Sequence, residues 1–342
     1  YSLECSNPAY PAVNSSVTIV VADTFELVVT AKYERPGPSK VNSVGRLAAD
    51  MDNPVTTGIR NVYIELQDGA GKKVAGTHAS EAGSVRFTGL DPKKKYTPVI
   101  RSVGKNSSGF EIHVLDNMRP VSTVASTIRT RYEPYLNRAA EYTPDPKRLK
   151  QATELTAKLG WDSALKILRD DQRISAPYIV LADAMEQQAY VAQNGAVNSV
   201  DSISILWSAQ NKGGSTEDNN YDRGFVRSSG AFYSRSAITI AADGRVNNGG
   251  SENIPHIFLS GAPAFELQEL STAITAHEMT HFTQDKSQRN YSPGGPHSER
   301  GEHQDIALVQ HEGLATGTAL MIARAPTLDR FIFRDGSVRA VR

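Results

Sequence analysis

The stretch His277-Glu278-Met279-Thr280-His281 places two imidazoles four residues apart, with a carboxylate beside the first of them. An α-helix has 3.6 residues per turn, so residues 277 and 281 would lie on one face, and both rings could reach a single divalent ion. Glu278 would then lie beside that ion without having to bind it. The spacing therefore predicts a helix that contributes two ligands to a metal site and around which the rest of the fold is arranged.

The residues around this stretch indicate that the two histidines face the protein interior. Pro263 is the expected start signal of the helix, and the helix is expected to end near Asp285. Apolar side chains recur at helical spacing ahead of the motif, and Phe282 extends the apolar margin behind it. Burying two imidazoles and a carboxylate without partners is costly, and a bound cation would offset that cost. A buried metal site is therefore favoured over an exposed pair of histidines.

Two zinc-peptidase patterns for the third ligand do not fit the residues that are present. A metzincin requires Gly at position 284 and His at position 287, where this chain has Gln284 and Ser287. The segment Gly317–Met321 is similar to the Gly-Thr-x-x-Asp element of aspzincins, but Met321 occupies the place of the aspartate. The third ligand must therefore come from another segment.

The segment His311–Gly317 resembles the start of the helix that carries the third ligand in gluzincin peptidases, with its pattern Glu-Gly-hydrophobic-Ala. That resemblance implies Glu312 as the third metal ligand. The intervening residues 292–298 are rich in Pro and Gly and predict a loop, so a second helix could return to the metal. Glu302 stays open as the alternative ligand.

Two histidines and a glutamate are the ligand set of a zinc hydrolase, so we expect one Zn²⁺ ion, with Glu278 as general base in peptide-bond hydrolysis. The chain has one cysteine, Cys5, which excludes an internal disulfide and a zinc site built from cysteines. Two other functions stay open. The chain could be a zinc-containing binding or adhesion module without hydrolytic activity, or a metalloamidase that acts on cell-wall peptide.

Three side chains near the motif are expected to support catalysis. Asp285 lies four residues after His281 and could accept the free ring N–H of that ligand. His303 and His311 are the candidates for a group that hydrogen-bonds the oxyanion of the tetrahedral intermediate. Each of the three could instead be an ordinary polar residue of the surface.

A short alternating stretch that contains Ile238, Thr239 and Ile240 predicts a strand ahead of the motif helix. In zincin folds, the strand before the active-site helix commonly forms a sheet edge on which an extended peptide docks through backbone hydrogen bonds. By analogy, these three residues are expected to bind substrate. An ordinary core strand would show the same alternation.

Length and composition describe a globular protein. With 342 residues, the chain can form two domains that each have a core. Apolar residues make up 39% and charged residues 22%, and no segment predicts a membrane span. Lys and Arg balance Asp and Glu to a formal net charge of zero, so charge does not favour nucleic acid or an anionic membrane as a partner.

The first third of the chain predicts strands rather than helices. Residues 1–40 are expected to form an N-terminal β extension, and residues 41–118 an all-β sandwich of short strands separated by glycine turns. The run from Asn53 to Tyr96 resembles the transthyretin-like, Ig-like sandwiches that are often appended to extracellular and surface proteins. That resemblance implies a spacer or a binding module.

Residues 119–342 are expected to form an α+β, zincin-like metallopeptidase domain. Helices are predicted at residues 147–159, 162–169 and 177–193, and a strand at residues 202–207. Helices, then strands, then a motif helix is the order of elements along the chain that suits an α+β zincin domain.

Two sequence runs, together with the β-rich block ahead of them, resemble a known family. The runs are HEMTHFTQD at residues 277–285 and HEGLATG at residues 311–317. They look like the C-terminal effector extension of a VgrG spike protein of a type VI secretion system. That resemblance implies a secreted metallopeptidase toxin that acts on protein or peptide in the periplasm of a rival cell. It also implies the spike machinery and an immunity protein as partners.

Overall fold

The computed structural model combines strands and helices, with more residues in strands than in helices, and is compatible with the expected α+β class. No helix in the described part of the chain is long and apolar enough to span a membrane. The structure describes residues 24–41, 47–194, 202–214, 218–228, 230–248, 255–262, 267–287, 305–323, 329–332 and 338–341.

Many strands and a few helices follow one another along the chain. The first ten strands are β1 (Phe25–Val41), β2 (Leu47–Gly58), β3 (Val62–Gln67), β4 (Lys73–His78), β5 (Ser84–Leu90), β6 (Thr97–Lys105), β7 (Glu111–Pro120), β8 (Tyr132–Pro134), β9 (Leu136–Arg138) and β10 (Lys150–Ala157). The later strands are β11 (Trp161–Asp162), β12 (Ile167–Leu168), β13 (Ile203–Ser208), β14 (Phe232–Ser234), β15 (Ile238–Ile240), β16 (Val246–Asn248), β17 (His256–Ser260), β18 (Asp329–Ile332) and β19 (Val338–Val341). The α-helices are α1 (Ile128–Arg131), α2 (Ala176–Gln193), α3 (Thr272–Ser287) and α4 (Ile306–Ala323).

A four-stranded sheet is built around the long strand β1. β1 pairs with β2 and β5 in antiparallel fashion and with β10 in parallel fashion. The helix predicted at residues 147–159 is therefore wrong, because β10 is extended, and its Leu155 and Ala157 alternate into the core with the period of a strand. The helix predicted at residues 162–169 is also wrong, since β11 and β12 form a small hairpin there.

A nine-stranded sheet lies at the centre of the molecule. Its main path is β14-β17-β13-β7-β6-β3-β4, with β8 on β7 and β9 on β6. β7, β13 and β17 run parallel, whereas β14 runs antiparallel at the edge. Buried side chains from this sheet and from the four-stranded sheet belong to one core, among them Leu27, Val29, Ile64 and Leu66.

Strand pairing crosses both predicted domain boundaries. The boundary expected after residue 40 falls inside β1, which pairs with β10, and the boundary expected after residue 118 falls inside β7, which pairs with β13. Strands from the later sequence thus pair with strands from both of the expected N-terminal segments. Pairing between distant segments leaves no trace in local alternation, which is why the sequence suggested separate units.

Helix α2 packs against the nine-stranded sheet and is buried on nearly every side, over a span close to the predicted residues 177–193. Gly104 of β6 lets the helix approach the sheet closely, because a Cβ at that position would come within 3.1 Å of Leu181 and of Met185. Helix α2 also contacts α3. It therefore supports α3 from the side of the sheet.

Helix α3 begins at Thr272, after a 3₁₀ turn at Gln268–Leu270. Pro263, the expected start signal, lies outside the described residues. The motif residues 277–281 lie within the helix, as the spacing predicted. Near its end, the ring of Phe282 packs on that of Phe110 with centroids 5.6 Å apart, which anchors the helix to the β-rich part of the fold.

A buried ion pair ties the first strand to both of these helices. Arg35 of β1 lies with its Nη1 3.2 Å from Oδ1 of Asp183 on α2, and its Nη2 donates to the hydroxyl of Thr272 at 2.7 Å. The Asp183 side chain is 1% exposed and the Arg35 side chain 27% exposed. A residue of the N-terminal strand thus holds the start of α3.

We expect Arg35→Met to lower the free energy of unfolding by about 3 kcal/mol, because it leaves the Asp183 carboxylate buried and unpaired. Lys32→Met is the matched control, since Lys32 lies on the same strand and its ion pair with Glu154 is much more exposed. That pair should contribute less than about 1 kcal/mol. Urea denaturation of the three proteins measures both differences, and equal losses in the two variants would contradict the structural role of Arg35.

Tyr33 makes the stability of the fold depend on alkaline pH. Burial and then the charge of Asp183 raise the pKa of Tyr33 to about 12, whereas a tyrosine of the unfolded chain ionises near pH ~10. The contribution of Tyr33 to stability is fully present below pH ~10, the pKa of tyrosine in the unfolded chain. It falls as the pH rises toward the pKa of Tyr33 in the folded protein, because between these two pKa values only the unfolded chain has released the proton.

Replacing Tyr33 with Phe removes this pH dependence. Between about pH 9 and about pH 11.5, we expect the wild type to lose about 2 kcal/mol more stability than Tyr33→Phe, at about 1.4 kcal/mol per pH unit. Urea denaturation at both pH values measures the difference. The remaining tyrosines titrate in both proteins, so parallel pH profiles would show that Tyr33 does not contribute.

Candidate metal centre

Helices α3 and α4 lie side by side and carry the residues of the site. His277 and His281 share one face of α3, one turn apart, with ring centroids separated by 4.6 Å. Glu312 of α4 reaches the same point. The contact between the helices includes buried apolar side chains, namely Ala276, Ala319 and Ile322.

Three donor atoms from these residues form a nearly equilateral triangle. Nε2 of His277 lies 3.0 Å from Nε2 of His281, and Oε2 of Glu312 lies 3.1 Å from the first of these nitrogens and 3.3 Å from the second. A tetrahedral ion with ligand bonds of about 2.0–2.1 Å has ligands about 3.3–3.4 Å apart. The triangle is therefore of the right size and donor type to hold a small divalent cation. Glu302, the alternative ligand, lies outside the described residues.

The electrostatics of the cluster favour a bound cation. Burial alone would raise the pKa of Glu312, but hydrogen bonds from His277 and His281 outweigh it and hold that pKa far below its ordinary value. Burial alone would lower the pKa of His281, but the hydrogen bond to Glu312 and the charge of Glu278 raise it above its ordinary value. Without a metal, protons shared between the imidazoles and Glu312 can balance the charge of the carboxylate. A divalent cation would place positive charge next to all three donor atoms at once.

Glu278 follows His277 in α3 and is 8% exposed. Its carboxylate forms no hydrogen bond or ion pair with any residue that the structure describes, although its charge acts on His281. A carboxylate without such a partner is available for proton transfer. The side chains of His277 and Glu312 are 22% and 21% exposed, so solvent reaches one side of the cluster.

Two neutral side chains contact the outer nitrogens of the imidazoles. Oε1 of Gln284 lies 3.1 Å from Nδ1 of His281, and Oγ1 of Thr316 lies 3.3 Å from Nδ1 of His277. Partners of this kind fix the tautomer of a ligand histidine and the orientation of its ring. The sequence analysis missed both residues, although Gln284 lies three residues after one ligand and Thr316 four residues after Glu312, on the same helix faces.

His311 lies behind His281 rather than at the triangle. Its Nδ1 is 3.0 Å from Nδ1 of His281, and the two rings are nearly parallel, at 9°. Burial, followed by the charge of His281, lowers the pKa of His311. The structure therefore brings His311 to the outer nitrogen of a ligand and not to the position expected for an oxyanion donor. His303, the other candidate for that role, lies outside the described residues.

Asp285 faces the sheet edge. Its carboxylate accepts a hydrogen bond from the Tyr233 hydroxyl at 2.9 Å, and Nη1 of Arg235 lies 3.2 Å from it. The contact expected between Asp285 and His281 is the one that Gln284 makes instead. Asp285 thus links the end of α3 to β14 and the residue that follows it.

Strand β15 does not form the sheet edge beside α3. It pairs with β16 on one side and bridges to Ser126 on the other, and Ile238 and Ile240 are buried in a separate apolar cluster with Tyr221 and Phe258. The alternation of the three predicted substrate-binding residues, which include Thr239, is explained by this burial. The strand that contacts α3 at the edge of the nine-stranded sheet is β14.

A separate cavity of about 650 Å³ opens at the start of α2. It lies near the carboxyl ends of β7 and β13, and residues of the metal cluster do not line it. The lining includes Asp116, Tyr135, Arg173, Pro177 and Trp207.

Comparison with known proteins identifies no relative of this chain. No family model matches this chain, and no curated protein is similar to it at a significant level.

Proposed function

We propose that this chain is a zinc-dependent endopeptidase in which His277, His281 and Glu312 hold one Zn²⁺ ion and Glu278 is the general base. The observation that carries the proposal is the convergence of two imidazole nitrogens and one carboxylate oxygen, 3.0–3.3 Å apart, from two packed helices. Three protein ligands of these types leave a fourth position open, as in catalytic zinc sites. When bound, zinc polarises a substrate carbonyl and lowers the pKa of a water molecule.

Glu278 supplies the proton transfers in this proposal. Its carboxylate forms no hydrogen bond or ion pair within the described part of the chain, and it follows His277 in α3, so it can take a proton from the attacking water. The same carboxyl group then gives that proton to the amine that leaves.

The edge strand β14 favours an extended peptide as substrate. β14 is antiparallel to β17, ends the path of the nine-stranded sheet, and contacts α3. A peptide can add to such an edge through backbone hydrogen bonds, which bring its carbonyl groups past the helix. The zincin-like part of the proposed fold is supported by three parallel strands with the antiparallel edge strand β14, together with the motif helix α3 and the later helix α4.

A purely structural zinc site is the weaker alternative. Such sites are closed by a fourth protein ligand. His311, the nearest further histidine in the described part of the chain, contacts the outer nitrogen of His281 and so does not face the open position. An amide of cell-wall peptide remains a possible substrate for the same catalytic groups, and hydrolysis of casein compared with hydrolysis of purified peptidoglycan separates the two.

We expect the purified wild type to bind one zinc ion per chain and to cleave casein. Glu278→Gln should retain the zinc but lose hydrolysis by at least about 10²-fold, since it keeps the shape of the side chain and removes the base. His281→Ala should lose both zinc and activity. Elemental analysis and a casein assay measure these outcomes, and hydrolysis by Glu278→Gln at the wild-type rate would dispose of the assignment.

We also propose, from the two motif runs and the β-rich block ahead of them, that the chain is delivered by a type VI secretion spike into the periplasm of a rival cell. An immunity protein would then protect the producing cell. Expression of the chain in the periplasm of a test bacterium should stop growth, whereas expression of Glu278→Gln should not. Equal growth of the two strains would contradict a toxic peptidase acting in that compartment.

A further inference from the structure

Gln284 contacts both helices of the candidate site through hydrogen bonds at the two ends of its amide. Its Oε1 lies 3.1 Å from Nδ1 of His281 on α3, and its Nε2 donates to the backbone carbonyl of His311 on α4 at 2.9 Å. The residue is 4% exposed, so water does not compete freely for either bond. Taking the proposed zinc site as its basis, we propose that Gln284 is a positioning residue that sets the proton on His281 and the place of Glu312 together.

The backbone carbonyl of His311 fixes which way the Gln284 amide points. A carbonyl oxygen only accepts hydrogen bonds, so the amide nitrogen must face it, and the amide oxygen must face His281. An oxygen opposite Nδ1 of His281 requires a hydrogen on that nitrogen. In the zinc-loaded protein, Nε2 of His281 then keeps its lone pair for the ion, on the side that faces Glu312. The backbone of α4 thus determines, through one amide, the tautomer of a ligand on α3.

The same bond anchors the third ligand. His311 immediately precedes Glu312, so a hydrogen bond to its carbonyl holds the peptide from which the carboxylate projects. Among the described residues, no atom lies within 4 Å of where a Cβ would be at Gly313 or Gly317. The apolar contacts between the helices lie at Ala276, Ala319 and Ile322. The Gln284 bridge therefore adds a polar contact between α3 and the peptide that precedes Glu312.

The variant Gln284→Glu separates the two contacts. A carboxylate can still accept the ring N–H of His281, and carboxylates commonly do so in zinc sites. It cannot donate to the His311 carbonyl and instead places negative charge against that oxygen. We expect both Gln284→Glu and Gln284→Leu to weaken zinc binding by about 10- to 100-fold. Competition with a chromophoric chelator measures the zinc affinity, and the visible spectrum of the Co²⁺-loaded proteins should show altered ligand geometry.

Gln187 offers a matched control. It is a buried glutamine on α2 whose amide nitrogen lies 3.3 Å from the hydroxyl of Thr280 and 3.2 Å from that of Thr283, so it also contacts α3 without touching a ligand. Gln187→Leu should lower the melting temperature as a loss of buried hydrogen bonds does. Its zinc affinity and Co²⁺ spectrum should stay those of the wild type.

The outcomes distinguish this inference from the proposed function. If the wild type binds no zinc, the proposed function fails. If the wild type binds zinc and Gln284→Glu binds it as tightly or more tightly, the bridge is overturned while the zinc site stands. A long-range ¹H–¹⁵N NMR spectrum of the metal-free wild type, taken at a pH where the ring of His281 is neutral, gives a test that needs no variant, because no ion then occupies Nε2. Hydrogen on Nδ1 of His281 is the expected result, and hydrogen on Nε2 would overturn the inference.

Discussion

The packing of α4 against α3 is the contact on which the site depends. Two histidines one turn apart can be supplied by one helix, but the third donor must come from elsewhere, and here Glu312 reaches the imidazoles from α4. Small residues at that contact, among them Ala276 and Ala319, allow the backbones to approach. A shift of α4 by half a turn, about 2.7 Å along its axis, would carry the carboxylate out of reach of both nitrogens.

The β-rich part of the chain is the scaffold of that contact. Helix α3 is supported by α2, α2 packs against the nine-stranded sheet, and Arg35 of β1 reaches Asp183 and Thr272 at the start of α3. A spacer joined to a catalytic domain would lack such links, because separate domains meet through few and mostly polar contacts. Strands β1, β6 and β7, all from the N-terminal part of the chain, therefore hold α2 and α3 in place.

Local sequence patterns correctly predicted the elements whose conformation is determined by residues close by in the sequence. The period of 3.6 placed His277 and His281 together and located α2, and the alternation of residues 61–66 and 84–87 located β3 and β5. The predictions were wrong where a segment distant in the sequence determines the conformation or the contact. Residues 150–157 became a strand because β1 offered an edge, and Asp285 turned toward Tyr233 and Arg235 because β14 lies beside it. Strand order, domain boundaries and the contacts of the outer imidazole nitrogens are all determined by such distant segments.

The turn of Asp285 away from His281 changes the charge of the site. Arg235 and the Tyr233 hydroxyl take up that carboxylate, so the acceptors nearest the ring N–H groups include the neutral amide of Gln284 and the neutral hydroxyl of Thr316. A carboxylate in their place would make the imidazoles more basic and would neutralise more of a bound cation's charge. With Glu312 as the one anionic member of the triangle, a divalent ion would keep a net positive charge toward the open side. A substrate carbonyl would meet that charge there, next to the carboxylate of Glu278.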